Sequence, residues 1–294
     1  MCRAHDPVFM EDCMMNWTYQ IPEQGMTVTD LLKNEWGLGK KTVHELRMAK
    51  GVRLEDGTEP RWQEPLDKGT QLTVTIPQAA SPYRSNASIE PEILFEDEHF
   101  IIANKPKGLA THPNDNHQDD TFINGLMAYV QQSGGSYIEH IHRLDQGTSG
   151  VLLLAKHPIA KNVMDRMVEQ KLVQREYEAL VKGLVRGQSG TLDFPLGRDR
   201  HHATRRRVSP NGQSAVTHYQ VINRADGRSL LHLTLETGRT HQIRAHLSHV
   251  KHPIIGDELY GGPPTEDGEY FLHAFRIAFK HPFTGQQIDI EAKQ

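Results

Sequence analysis

The stretch Ile141-His142-Arg143-Leu144-Asp145-Gln146-Gly147-Thr148-Ser149-Gly150, running into Val151-Leu152-Leu153-Leu154-Ala155, organises the reading of the whole chain. A polar, glycine-bearing segment leads directly into five apolar residues. Such a run, bounded by turn residues, reads as a strand buried on both faces. Gly147 and Gly150 permit tight turns or close backbone approach. Asp145 therefore stands on a loop beside a rigid strand, a good platform for a reacting group. An isolated aspartate there would ordinarily just cap a turn, so its meaning depends on the segments around it.

Downstream, Pro158 opens a helix carrying Ile159, Val163, Met167 and Val168 at helical spacing and ending near Lys171. Residues 175–181 alternate as a strand, with Tyr177, Ala179 and Val181 on one face; by itself Tyr177 reads as a core-lining aromatic. Leu231, Leu233 and Leu235 form another strand face and lead into Thr237-Gly238-Arg239-Thr240-His241-Gln242-Ile243-Arg244. Thr240 is the expected cap of a helix burying Ile243, Leu247 and Val250. Arg244 then falls in the first turn, where a cation opposes the helix dipole at ~0.3–1 kcal/mol. A carboxylate or a phosphate is the natural compensation.

Upstream, residues 93–95 and 100–103 read as strands and residues 121–130 as a helix. Residues 77–91 hold three prolines, three serines and three alanines and read as a flexible linker. They divide a small unit, residues 16–76, from a larger one, residues 92–291. In the small unit Thr27 or Thr29 caps a short helix with Leu31, Leu32 and Trp36; a second helix spans about residues 40–50, stopped by Gly51; Leu72, Val74 and Ile76 alternate as a strand.

At 294 residues, with about 150 per domain, two domains are expected, and 37 % hydrophobic residues suffice for their cores. The longest apolar run, Val151 to Ala155, is far short of the ~18 residues of a membrane helix. No basic-then-apolar leader is visible at the N-terminus. Two cysteines, Cys2 and Cys13, support neither a disulfide framework nor a thiolate zinc site, so a reducing, cytoplasmic setting is expected. The net charge of −4 is unevenly spread: residues 198–207 hold five arginines and one acid. A local basic patch can steer a polyanion whatever the total.

Four segments in order resemble the RluA-type RNA pseudouridine synthases. They are Phe95-Glu96-Asp97-Glu98 through Asn104-Lys105-Pro106-Lys107-Gly108, then His142 to Gly150, then Arg175-Glu176-Tyr177, then Gly238 to Arg244 and on to Gly256-Asp257. The small unit resembles the S4-like RNA-binding module often placed before that catalytic domain. Its Glu55-Asp56-Gly57 turn departs from the usual Val-Asn-Gly type. The resemblance implies an α+β fold: a mixed, largely antiparallel central sheet with flanking helices and a catalytic cleft, plus a small N-terminal S4-like α/β module.

It also implies an isomerase that converts uridine to pseudouridine in structured RNA, ribosomal large-subunit RNA ahead of transfer RNA, without cofactor or metal, and most simply as a monomer. Asp145 is matched to the essential carboxylate; attack on the sugar, attack on the base and removal of a sugar proton all remain open. Arg244 is matched to the cation that keeps it ionised. Tyr177 is matched to the residue stacking on uracil, and is also a candidate base for the C5 proton. Ile243 would line the base pocket. Arg143 is matched to the side chain filling the space left by the flipped base. Arg198, Arg205, Arg206 and Arg207 would follow the RNA backbone. Two other readings compete: a non-catalytic RNA-binding protein retaining the fold, and a metal-dependent hydrolase using histidines with Asp97, Asp119, Asp120 or Asp257. His246, His249 and His252 are spaced along one helix, but Pro253 ends it and no carboxylate completes a site.

Overall fold

Strand pairing sorts the chain into a small sheet and a large one. The computed structural model describes residues 14–115 and 117–293; Cys2, Arg3, Asp6, Glu11, Asp12 and Cys13 lie outside them. In β1 (Met14–Gln20) Trp17 and Tyr19 are buried and alternate with exposed neighbours. This strand pairs with β3 (Gln71–Pro77), whose other edge takes β2 (Val52–Leu54), all antiparallel. Thr27, not Thr29, caps α1 (Val28–Asp30): its Oγ1 accepts the Asp30 N–H at 3.0 Å. Thr29 instead donates to the Trp62 carbonyl at 2.9 Å. The helix continues as a wider turn, Leu31–Glu35, and α2 (Lys40–Met48) follows.

The large sheet comprises β4 (Glu92–Glu96), β5 (Phe100–Lys105), β6 (Glu139–His140), β7 (Ser149–Ala155), β8 (Gln174–Lys182), β9 (Ser189–Asp193), β12 (Val216–Ala225), β13 (Arg228–Leu235), β14 (Leu272–Lys280) and β15 (Gln287–Glu291). A separate hairpin pairs β10 (Leu196–Arg198) with β11 (Arg206–Val208). The main path is β4-β5-β7-β14-β8-β13-β12-β9. Among the described strands only the short contact of β7 with β14 is parallel, so the sheet is mixed and largely antiparallel. That contact is a two-residue seam, His273 opposite Ser149 and Ala274 opposite Gly150. Gly150 sits at φ 112°, where a Cβ would come within 2.1 Å of the Ala274 carbonyl oxygen. Only glycine fits both conditions.

All seven residues of β7 are buried, because both faces of the sheet are covered. Leu152 and Leu154 share a core with α3 (Phe122–Gln132) and with α5 (Gln242–His249). Val151 and Leu153 share another core with α4 (Pro158–Glu169) and with the N-terminal unit.

That second core corrects the expected flexible joint. Trp17 and Trp36 are 2 % and 1 % exposed, yet the small unit alone does not cover them. Trp36 meets Phe283 edge-on at 5.3 Å, and Trp17 lies 4.7 Å from the His157 ring. The amide of Asn162 donates to the Trp36 carbonyl at 2.8 Å, and Arg166 donates to the Asn34 carbonyl. Residues 78–91 are also fixed to the large domain. Ser81 Oγ donates to the Ile138 carbonyl at 2.7 Å, the Asn86 N–H bonds the Asn124 carbonyl, and Ile89 packs against Gly125. Proline, serine and alanine here shape a strap lying along α3, because its backbone polar groups find partners there.

Two expectations follow from this docking. Trp36→Ala removes a large buried ring from the shared core and should cost about 3–5 kcal/mol in urea unfolding, with new proteolytic cleavage within residues 78–91. Acid should weaken the same junction. Burial holds His99 and His157 neutral, with pKa values of about 4 and about 3. In the unfolded chain a histidine takes its proton near ~6.5. The unfolded state therefore binds more protons as pH falls, and stability present above pH ~6.5 is lost progressively towards pH ~4. Urea midpoints at pH 7.5 and pH 5.0 should show that fall; equal midpoints would contradict it.

Candidate active site

The loop carrying Asp145 is pinned at both ends. Thr111 Oγ1 donates to the Leu144 carbonyl at 2.7 Å and accepts the Leu144 N–H at 3.2 Å. Behind it the fully buried Lys105 donates to the carbonyls of Pro106 and Leu109, each at 2.7 Å, and reaches that of Gln146 at 3.3 Å. Burial lowers the Lys105 ammonium to about 8, and the charge of Asp145 opposes that shift. Gly147 lies under the Tyr270 ring, where a Cβ would come within 2.6 Å.

Asp145 faces a cavity of about 520 Å³. Tyr177, Arg143, Ile243 and Arg244 line the same cavity, so five of the sequence-selected residues converge. Arg143 is exposed at its rim, whereas Tyr177 and Ile243 are 5 % and 4 % exposed. Burial pushes the Tyr177 phenol up; nearby Arg175 opposes this and Asp145 adds to it. The phenol is therefore protonated near neutral pH, which fits a ring that stacks better than a resting base.

Arg244 is where the structure adds most. Its Nη1 donates to Asp145 Oδ2 at 3.2 Å. Its main partner is Asp257, which accepts Nε at 2.7 Å and Nη2 at 2.8 Å in a bidentate pair. Tyr260 and Tyr270 flank the guanidinium, 5.0 Å and 4.5 Å from ring centre to Cζ. Burial alone would lower the arginine's pKa; the hydrogen bonds and charge of Asp257, with Tyr270 and Asp145, outweigh it and raise it. Asp257 is 1 % exposed. In the sequence Gly256-Asp257 closes a motif, and the aspartate has otherwise only the role of a candidate metal ligand; here both its oxygens are taken by Arg244. Its role shows only once the chain between residues 244 and 257 folds back.

The start of α5 also differs from expectation. Thr240 does not cap it. His241 precedes the helix in the left-handed conformation, φ 56°, and the Gln242 side chain satisfies the entry, accepting Thr237 Oγ1–H at 2.8 Å and the Arg239 N–H at 3.0 Å. The turn directs His241 Nε2 to 3.9 Å from Asp145 Oδ2. The other ring nitrogen, Nδ1, lies 2.9 Å from Tyr260 Oη, which accepts the Arg206 N–H at 2.8 Å.

The four remaining arginines are elsewhere. Arg198, Arg205, Arg206 and Arg207 lie on the β10–β11 hairpin, outside the cavity lining. Arg198 and Arg207 are exposed, while Arg205 Nε is bound to the buried Asp199 at 2.6 Å. His246 does not stand ready for a metal: Nδ1 meets Thr217 Oγ1 at 3.0 Å and Nε2 the Phe194 carbonyl at 2.9 Å. Among the described residues no group of three histidine, cysteine or acidic side chains is placed to hold an ion.

The cavity unites a carboxylate, a clamped guanidinium and a buried aromatic beneath a basic rim. Comparison with known proteins gives this a family. Residues 99–249 match the RNA pseudouridylate synthase family, and residues 15–72 match the RluD ribosomal pseudouridine synthase N-terminal domain. The chain is 49 % identical to the uncharacterized RNA pseudouridine synthase YhcT of Bacillus subtilis, over 69 % of this chain and 68 % of that one. It is 35 % identical to ribosomal large subunit pseudouridine synthase D of Pseudomonas aeruginosa, over 81 % of this chain and 78 % of that one. The fold resembles that of human RNA pseudouridylate synthase domain containing 1, with TM-score 0.58 and 23 % identity over 72 % of this chain and 86 % of that one. The chain thus belongs to the RluA/RluD-type RNA pseudouridine synthases, which are isomerases.

Proposed function

We propose that this enzyme isomerises a uridine of ribosomal large-subunit RNA, with Asp145 as the essential carboxylate and the target base flipped into the cavity. The observation that carries the assignment of Asp145 is its contact with Arg244, itself locked by Asp257. The ribosomal target rests on the relatives named ribosomal large subunit pseudouridine synthase D.

In the reaction the N1–C1′ bond breaks, the uracil turns, a C5–C1′ bond forms, C5 gives up its proton and N1 gains one. Nothing is oxidised or reduced. Asp145 begins the cleavage, and the Arg244 guanidinium, bonded to its Oδ2, orients it in a half-buried place. A paired base lies out of reach of any side chain at the floor of the cavity, so the nucleotide must leave its stack. Arg143, exposed at the rim, is suited to occupy the vacated space with its planar guanidinium. The Tyr177 ring is a stacking surface for the uracil, with Ile243 alongside.

Asp145→Asn should reduce pseudouridine formation to background in total RNA from a strain lacking the gene, while RNA binding and the melting temperature persist. Arg244→Lys keeps a charge but not the two-armed fork; activity should fall by about 10²-fold or more. The double variant should be little worse than Asp145→Asn, because the two act as a unit. Near-wild-type turnover by folded Asp145→Asn would falsify the assignment. Mapping pseudouridine in ribosomal and transfer RNA with and without the gene tests the target: a modification that disappears from transfer RNA alone overturns the ribosomal reading.

The hairpin yields a separate expectation. Arg198 and Arg207 are exposed and free of the Asp199 pairing that occupies Arg205. Replacing both with alanine should flatten the dependence of log affinity on log salt by about 0.7–0.9 for each phosphate no longer neutralised. An unchanged slope would show that they do not face the backbone.

A further inference from the structure

Arg175 projects from β8 on the same face as Tyr177 and lines the same cavity. It is 6 % exposed, and its Nε has no hydrogen-bond partner. Among the described residues no carboxylate pairs with its guanidinium. The other buried arginine of the cavity, Arg244, holds two carboxylates. The lid over Arg175 is the loop leading to α5: a Cβ at Gly238 would come within 2.9 Å of Arg175 Nη1. Backbone, not an anion, thus covers this charge. A buried cation without a counter-charge is costly, and arginine does not escape by losing its proton.

His142 repeats the pattern beside it. The ring is 9 % exposed and lines the cavity, and its Nε2 accepts the Leu153 N–H at 3.2 Å. That bond leaves the proton on Nδ1, which has no partner. Burial first, and then the charge of Arg175, hold the ring neutral, with a pKa of about 3. A neutral donor next to a permanent cation, both buried and both unanswered, makes a place with donors and no acceptor.

We propose that Arg175 and His142 form an anion subsite in the wall of the cavity that takes a backbone phosphate flanking the flipped uridine. The proposal rests on the chain acting on RNA. Uracil is neutral and the ribose is neutral, so the phosphodiester is the one anion a nucleotide brings. Arginine's planar fork suits two of its oxygens, and the imidazole N–H suits a contact to one. The subsite is distinct from the exposed arginines of the hairpin: it lies in the cavity wall next to Tyr177, so it reads whether the target nucleotide has entered, not whether RNA is nearby. Arg175 is by this argument a positioning residue.

The test uses the full chain and a pentauridylate probe in two forms, fully charged and with neutral methylphosphonates on both linkages of the central nucleotide. Affinity is measured against KCl concentration for the wild type, Arg175→Gln and Arg175→Lys. The wild type should bind the charged probe about tenfold more tightly than the neutralised one. Arg175→Gln should reduce that ratio to about 2 and flatten its salt slope by about 0.7. Arg175→Lys, which keeps a charge, should restore most of the discrimination, while melting temperatures report folding in each case. Equal discrimination by the wild type and folded Arg175→Gln overturns the subsite. Should Arg175→Gln not fold, His142→Asn is read in the same way, and discrimination equal to wild type overturns the subsite there too. No binding of either probe by the wild type overturns RNA recognition itself, a result separable from the first.

Discussion

One guanidinium holds the cleft together. Arg244 bonds Asp257 through two nitrogens and Asp145 through the third, between two tyrosine rings. The three charges come from separate elements, a loop before β7 about a hundred residues upstream, the first turn of α5 and the turn after it. Their pairing fixes the spacing of those elements as firmly as apolar packing does. Such a cluster is stable only when complete. Removing one partner from a buried ion pair costs about 3–5 kcal/mol, because the other is left without water or counter-charge. The site is therefore assembled as a unit, and the unfavourable position of a cation in the first turn of α5 is answered by two carboxylates.

Local signals made much of this legible. The apolar run of residues 151–155 announced β7, and the alternation around Tyr177 announced β8 and the face it presents. The first turn of α5 was placed well enough to show that Arg244 needed an anion. Asp145 was offered as that anion, yet it is the lesser of two. Asp257 was hidden because no periodicity links it to Arg244; only the fold-back through Gly256 does. The cap of α5 departs from its sequence signal for a related reason. Thr240 has the right chemistry in sequence, but a left-handed residue at His241 and the Gln242 side chain settle the entry instead.

The N-terminal unit shows a different limit. Its helices and its last strand follow from capping and alternation, whereas β1, where Trp17 and Tyr19 alternate with exposed residues, is not among the strands that local signals lead one to expect. Trp17 and Trp36 look like core residues of a small module, and they are core residues, but of a core shared with Phe283, His99 and His157. Composition cannot say how much of an indole a small unit covers by itself. The same holds for residues 78–91, where the residue types of a loose tether are compatible with a strap hydrogen-bonded along α3.

Strand order has a consequence for how such a chain is made. β14 lies between β7 and β8 in space but follows both by about a hundred residues in sequence. As a nascent chain leaves the ribosome, β4, β5 and β7 can pair with each other, and β8, β13, β12 and β9 likewise, before residue 272 exists. These halves carry Asp145 and Tyr177 separately. Only when residues 272–280 insert do they become one sheet, and Phe283, which follows immediately, completes the dock for Trp36. The geometry of the cavity and the placement of the module are thus both deferred until residues 272–283 have been made, and until then long-range closure is pending and the incomplete chain has the most exposed strand edge.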